Sequence, residues 1–286
     1  MPLNVEAIRA LKLPAREYIA TDRDCMLYAL SIGIGRDPMN EAELAYVFEK
    51  DLKVFPTMAV VLGHPGPWID DPRMGITRQM LVHATQRLQI HRPLQAGRPF
   101  VATNAVTDIV DKGEKAGAIV VTRRELHDKE SGELLAVMES SSFCRADGGF
   151  GGPRELSHEF QTVPERLADL ESELPTDENQ ALYYRLNGDR NPLHAEPAFA
   201  ARAGFARPIL HGLCTFAIAA RALQEAGGPL RSIEARFSKP VFPGETIRME
   251  MWRLTGEEGE HGGMAFRAHV DARNAMVLDR GRATFF

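Results

Sequence analysis

Cysteine is scarce in this chain: Cys25, Cys144 and Cys214 are the only three among 286 residues, far apart and odd in number. That excludes a disulfide framework and points to a reducing compartment. Long apolar runs are missing as well. No stretch approaches the roughly 18 uninterrupted apolar residues of a membrane span, and MPLNVEAIRALKLPAREY at the N-terminus lacks the apolar segment of a secretory leader. A cytoplasmic protein with no membrane contact is expected. Basic charge is not in excess either. A formal net charge of −5 and a pI near 6.0 argue against a nucleic-acid binder, whose footprint is a basic face. Neither a His-Glu-x-x-His run nor a cysteine pair occurs, so no familiar metal-ligand spacing is present.

What is there suffices for a full core, since 44% of the residues are hydrophobic. The length fits one large domain or two of roughly 140 residues, and the order of elements favours two. Near the C-terminus, SIEARFSKPVF, TIRMEMWRLT, MAFRAHVDAR and AMVLDRGRATFF alternate apolar and polar residues between turns at Pro243-Gly244 and Gly256 to Gly263. They read as antiparallel strands, preceded by an apolar helix over Ile209 to Gln224. The first half repeats that order. ITRQMLVHATQRLQI (76–90) is its helix candidate, and FVATNAVTDIV, GAIVVTRREL and ELLAVMESSSFC are its strands. Each half is thus an α+β unit in which a curved antiparallel sheet can wrap a helix. Between them ADGGFGGPRELSHEF (146–160) reads as a flexible linker, which places a boundary near residue 152 and divides the chain into 1–152 and 153–286.

The densest chemistry lies in residues 183–214, YYRLNGDRNPLHAEPAFAARAGFARPILHGLC. Gly188 and Pro192 punctuate the stretch, so Asp189 to His194 should form a tight loop that points both side chains at one spot. A water held there can lose a proton to Asp189 while His194 orients it or returns a proton, and Asn191 can hold water or substrate through its amide. Pro208 then opens a helix through Leu210, Leu213, Phe216, Ile218 and Leu223, with its first turn near His211-Gly212. Free N–H groups there suit a developing oxyanion, and Gly212 lets a carbonyl approach its amide unobstructed.

YRLNGDRNPLH, ARPILHGLCTFAIAARAL and ARFSKPVFPGETIRMEMW resemble the MaoC-like (R)-specific enoyl-CoA hydratase family, in particular the hydratase 2 domains of peroxisomal multifunctional enzymes type 2. TDRDCMLYALSIG (21–33) and YVFEKDLKVFPTMAVVLG (46–63) resemble the non-catalytic half of that two-part domain. The resemblance implies a double hot-dog fold with one active site per chain in the C-terminal half. It also implies hydration of trans-2-enoyl-CoA to (3R)-3-hydroxyacyl-CoA, or the reverse. Carried onto this sequence, it makes Asp189 and His194 the acid/base pair, Asn191 a helper and the Gly212 amide the oxyanion donor. Substrate contacts fall on His83, Lys112, Arg190, Pro192, Leu193 and Phe237, with Lys112 and the weaker Lys239 as partners for CoA phosphates. One departure is visible: the chain reads His83-Ala84-Thr85-Gln86 where the family commonly has His-Gly-Glu-Gln. A homodimer is implied too, with no metal and no cofactor beyond the CoA of the substrate.

Blander readings stand beside these. Gly-Asp and Asn-Pro pairs are ordinary turn chemistry when taken alone. His211 reads as a residue at the helix start that bonds to backbone, Cys214 as core, and Phe237 as either pocket wall or core. Asp189, His194, Glu196 and His211 are groups that suit divalent ions, without a spacing that supports one. The alternatives in function are a dehydratase of a branched or oxygenated acyl-CoA, a thioesterase by analogy of fold, and a non-catalytic acyl-CoA-binding module.

Overall fold

The computed structural model describes residues 3–256 and 258–286. The first half carries α1 (Val5–Ala10), β1 (Arg16–Ile19), α2 (Asp22–Ser31), α3 (Glu41–Leu44), β2 (Leu81–Ile90), β3 (Pro99–Gly113), β4 (Gly117–Asp128) and β5 (Leu134–Cys144). The second carries β6 (Leu170–Pro175), α4 (Gln180–Tyr184), α5 (Pro197–Arg202), α6 (Gly212–Gly227), β7 (Leu230–Phe237), β8 (Thr246–Arg253), β9 (Met264–Val270) and β10 (Ala275–Phe285). The strands form one antiparallel sheet in the order β1-β3-β4-β5-β2-β7-β10-β9-β8-β6. Each half contributes five neighbouring strands in mirrored order, and the halves meet where β2 pairs with β7 from Thr85↔Arg236 to Gln89↔Ser232. On the side of that seam away from the helices, Arg87 bridges Glu139 of β5 at 2.6 Å and Glu234 of β7 at 2.9 Å. This is the double hot-dog arrangement.

Helix α6 is apolar nearly all round, as a helix enclosed by a sheet must be. Cys214 to Ala220, Ala222 and Leu223 are buried in a core shared by both halves. The N-terminal half has no counterpart of that length. Its α2 starts from a capping box between Thr21 and Asp24, and the six residues Pro56–Val61 form a 3₁₀ helix that packs on α6, β2 and β5. The C-terminal end of α2 closes onto the second half. Ser31 O accepts from Gln180 Nε2 at 3.1 Å, Ser31 Oγ accepts from Asn187 Nδ2 at 2.9 Å, and Gly33 O accepts from the Arg221 guanidinium.

Two expectations are corrected. Residues 76–90 are not a helix: Arg78–Met80 make a 3₁₀ turn and Leu81–Ile90 are β2. The apolar residues there fit both periods, but Gln86, Leu88 and Ile90 turn into the core while Arg87 and Gln89 do not. Ladders to β5 on one side and β7 on the other satisfy a backbone that a helix would leave without its seam. The stretch after residue 146 is also tied down where a flexible linker is expected. Buried Asp147 accepts from Thr77 N at 3.0 Å and Thr77 Oγ1 at 2.5 Å, while Asp111 accepts from the amides of Gly149 and Gly151 at 2.8 and 2.6 Å. Further on, Arg280 and Arg282 of β10 donate to the carbonyls of Phe160 and Thr162 at 3.1 and 2.6 Å.

Candidate active site

The loop ahead of α5 is held by its own side chains. Gly188, at φ 121°, turns the chain out of α4 and the 3₁₀ turn that follows it, a conformation costly for any other residue. Asp189 Oδ1 then accepts from Asn191 N at 3.1 Å, and Asn191 Oδ1 accepts from Leu193 N at 3.0 Å, capping the 3₁₀ turn Pro192–His194. Asn191 therefore spends its carbonyl oxygen on shaping the loop. Asp189 is exposed, with Arg190 beside it also exposed; Pro192 and Leu193 are half-buried, and His194 is buried. His194 donates through Nδ1 to Ile209 O at 2.8 Å, which fixes the tautomer and leaves the lone pair of Nε2 free.

His211 approaches the same place from the start of α6. Its ring stacks on that of His194 with centroids 3.6 Å apart and planes 23° from parallel, and its Nε2–H donates to the main-chain oxygen of Asp189 at 3.2 Å. Side-chain donor atoms of Asp189, His194 and His211 all lie within 4.8 Å of one another. Burial lowers the His194 pKa against the opposing pull of its bond to Ile209 O and of Asp189. Burial, and then the neighbouring His194, push His211 down to about 4. Both imidazoles are neutral at pH 7. A separation of this kind could suit a divalent ion, but one nitrogen of each ring is committed to a main-chain carbonyl and the other nitrogen of His211 is enclosed by packing. The Asp189 carboxylate and the free Nε2 of His194 remain as the groups open to an exchangeable proton.

Gly212 is the first residue of α6, where amides precede the first intrahelical bond. It faces Phe237 at the end of β7 so closely that an added Cβ would lie 3.3 Å from the ring. His83 of β2 packs on Phe237 from the far side, with centroids 4.8 Å apart, and donates through Nε2 to Thr85 O at 2.9 Å. Burial drives the His83 pKa down to about 4, with Asp189 acting in opposition. Phe237 also meets Phe216 of α6 at 6.5 Å, so it is wall and core together. His83, Phe237, Gly212, Asp189 and His194 thus converge from four separate elements.

Other expected contacts are elsewhere. Lys112 ends β3 with its ammonium on Arg154 O at 2.7 Å, and no contact among the described residues ties it to the cluster. Lys239 is exposed in the loop after β7. Thr85 Oγ1 meets Ser141 Oγ at 2.5 Å, while Gln86 is buried on the core side of β2 with its Nε2 donating to Arg87 O at 2.8 Å. Sequence reasoning missed His64, in a Pro-Gly turn of the N-terminal half within electrostatic reach of Asp189. It missed Arg124 as well, a buried guanidinium donating to Leu62 O and Val60 O at 2.6 and 3.2 Å and so holding that turn. Neither lies in a pattern that marks it in the sequence.

Known proteins share this framework. A model of the MaoC like domain matches residues 159–273, and one of the MFE-2 hydratase 2 N-terminal domain matches 18–146. The 3-hydroxyacyl-thioester dehydratase Y of Mycobacterium tuberculosis is 41% identical over 93% of this chain and 92% of its own length. The peroxisomal enoyl-CoA hydratase 2 of Arabidopsis thaliana is 36% identical over 96% and 93%. The crystal structure of a MaoC-like dehydratase from Phytophthora capsici superposes with a TM-score of 0.84 at 33% identity, over 99% of each chain. Matched along both halves by sequence and by fold, the chain belongs to the MaoC-like hydratase 2 family.

Proposed function

We propose that this protein is a hydro-lyase that adds water to trans-2-enoyl-CoA to give (3R)-3-hydroxyacyl-CoA, or runs the reverse dehydration. The observation that carries the reading is the gathering of Asp189 and His194, its Nε2 free, around His211, the residue that precedes Gly212 at the start of α6. In the forward direction the thioester oxygen accepts from the Gly212 N–H, which draws charge from the double bond and makes C3 electrophilic. A water held by Asp189 and His194 gives a proton to this pair as its oxygen bonds to C3, and a proton delivered to C2 collapses the enolate-like state to the thioester. The chemistry closes on the chain's own groups, with no cofactor called for.

The N-terminal half is assigned to substrate binding, with the division kept near residue 152. It offers His83 to the site, and its short Pro56–Val61 turn in place of a long helix suits it to receive the acyl chain. A homodimer is proposed as well. Three buried free thiols suit a reducing interior, cytoplasmic or peroxisomal, and no helix among the described residues is long and apolar enough to cross a membrane. The test is turnover of crotonyl-CoA after exhaustive chelation, with the product's configuration assigned. Full activity and an (R) product are expected, and Asp189→Asn or His194→Ala should each lower turnover by about 10²–10⁴. An (S) product, or release of free CoA, would overturn the assignment.

A further inference from the structure

His211 is not explained by the helix it begins. Residues at this position stabilise a helix when a side-chain oxygen accepts from the first-turn amides, and serine, threonine or aspartate do so best. His211 makes no such bond. Its Nδ1 is instead buried without a partner among the described residues, a condition that destabilises a polar atom. The ring is spent on the site. It stacks on His194 at 3.6 Å, donates to Asp189 O at 3.2 Å, and precedes Gly212 in the chain.

We propose that His211 is a positioning residue, whose ring is the surface against which His194 is set and whose Nε2–H ties the Asp189 main chain to the helix end that supplies the Gly212 amide. This rests on the acid/base reading of Asp189 and His194. Asp189 and His211 are 22 residues apart in sequence, and the bond from His211 joins them beside the bonds that Ile209 makes to His194 Nδ1 and Leu193 O. Without it, Asp189 is held to its loop by the bond to Asn191 N alone among the contacts described. The groups that face the stacked pair are Asp189 from the loop, Tyr184 from α4 at 5.0 Å and Arg185 after it. Of these only Asp189 stabilises the charged forms; the His211 ring covers one face of the His194 ring and leaves its Nε2 edge to the reacting water.

The two duties separate by mutation. His211→Phe keeps the aromatic face and removes the N–H; His211→Asn keeps a donor and removes the stack. The Phe variant should lose about 10²-fold in kcat with KM within a factor of three, because a misplaced reacting group costs that much without weakening binding. The pH at which its kcat/KM falls on the acid side should not change. In the Asn variant the face of the His194 ring that His211 covers is opened to solvent, its pKa rises toward 6.5, and the acid limb moves up in pH. A Phe variant with wild-type kcat, or an Asn variant whose acid limb stays in place, would overturn the proposal. Melting temperatures identify any variant that fails to fold; His211→Gln then replaces the Asn variant, and His211→Leu, which keeps an apolar face without an N–H, replaces the Phe variant, with the same outcomes. Asp189→Asn serves as the control: if it retained turnover, the acid/base reading would fail first.

Discussion

Replacing Gly212 separates an oxyanion donor from a residue that merely leaves room. Gly212 has ordinary helical backbone, so Ala introduces no torsional strain, and its Cβ would sit 3.3 Å from the Phe237 ring. That contact needs a shift of a few tenths of an ångström, costing on the order of 1 kcal/mol, against a helix-propensity gain of at most about 1 kcal/mol. The melting temperature of Gly212→Ala should therefore stay within a few degrees of wild type. Proline asks the sharper question. It is favoured at the first position of a helix, and His211, at ψ 136°, already has the extended backbone that a residue before proline requires. Gly212→Pro thus removes the N–H with little damage to the helix. If that N–H holds the developing oxyanion, kcat/KM should fall by about 10²–10³, equivalent to 2.7–4 kcal/mol, and by more than in the Ala variant, which keeps the donor behind a methyl group. Loss of enoyl absorbance with crotonyl-CoA reads the rates, and circular dichroism reads the fold. A folded Gly212→Pro enzyme within tenfold of wild type would remove Gly212 from the mechanism.

Four further outcomes are expected. The acid limb of kcat/KM should lie below pH 6.5, because burial lowers the His194 pKa and its neutral form is the one required; a limb above 6.5 would contradict this. Stability should follow the same histidines: folded pKa values of about 4 for His83 and His211 lie below the unfolded 6.5, so their contribution is intact above pH 6.5 and lost as pH falls toward 4. The loss is measurable by denaturant titration at pH 7 and pH 4.5, and equal stability at both would refute it. Activity should rise from four- to ten-carbon enoyl-CoA as added methylenes, each contributing at most about 0.8 kcal/mol, enter the N-terminal half; activity confined to four to six carbons would refute a roomy acyl path. Light scattering should give twice the 31.7 kDa chain mass, and a monomer at micromolar concentration would remove the dimer.

The C-terminal half was legible because its signals are local. A nearly uniform apolar run has few places to go but inside a sheet, and α6 begins three residues after Ile209, where the helix was expected. The first half misleads for a physical reason. VHATQRLQI places apolar residues where a helical stripe and a buried strand face both accept them, and the choice falls to β5 and β7, both remote in sequence. Its true helix, α2, carries a capping box but little segregation of apolar residues, since it packs against the short α4 and the 3₁₀ turn Arg185–Asn187 that follows it. Glycines after residue 146 promised flexibility, yet bare amides are what Asp111 needs as partners.

At the site, what was legible is what one segment contains. Asp189, Asn191, His194 and Gly212 announce themselves through turn residues and a helix start, and the structure gathers them. The groups brought from elsewhere divide by how they are held. His83 and Phe237 meet because β2 and β7 are the two strands at the seam, so their register sets the distance from one ring to the other. Lys112 follows no such constraint, lying at the end of β3, two strands beyond the seam-side β5, where the ordering of the sheet carries it away from α6. A position on β2 or β7 can reach the end of α6, whereas one on β3 must cross β4 and β5 first. The seam therefore brings His83 to the end of α6, while His64 comes near Asp189 from a turn outside the sheet.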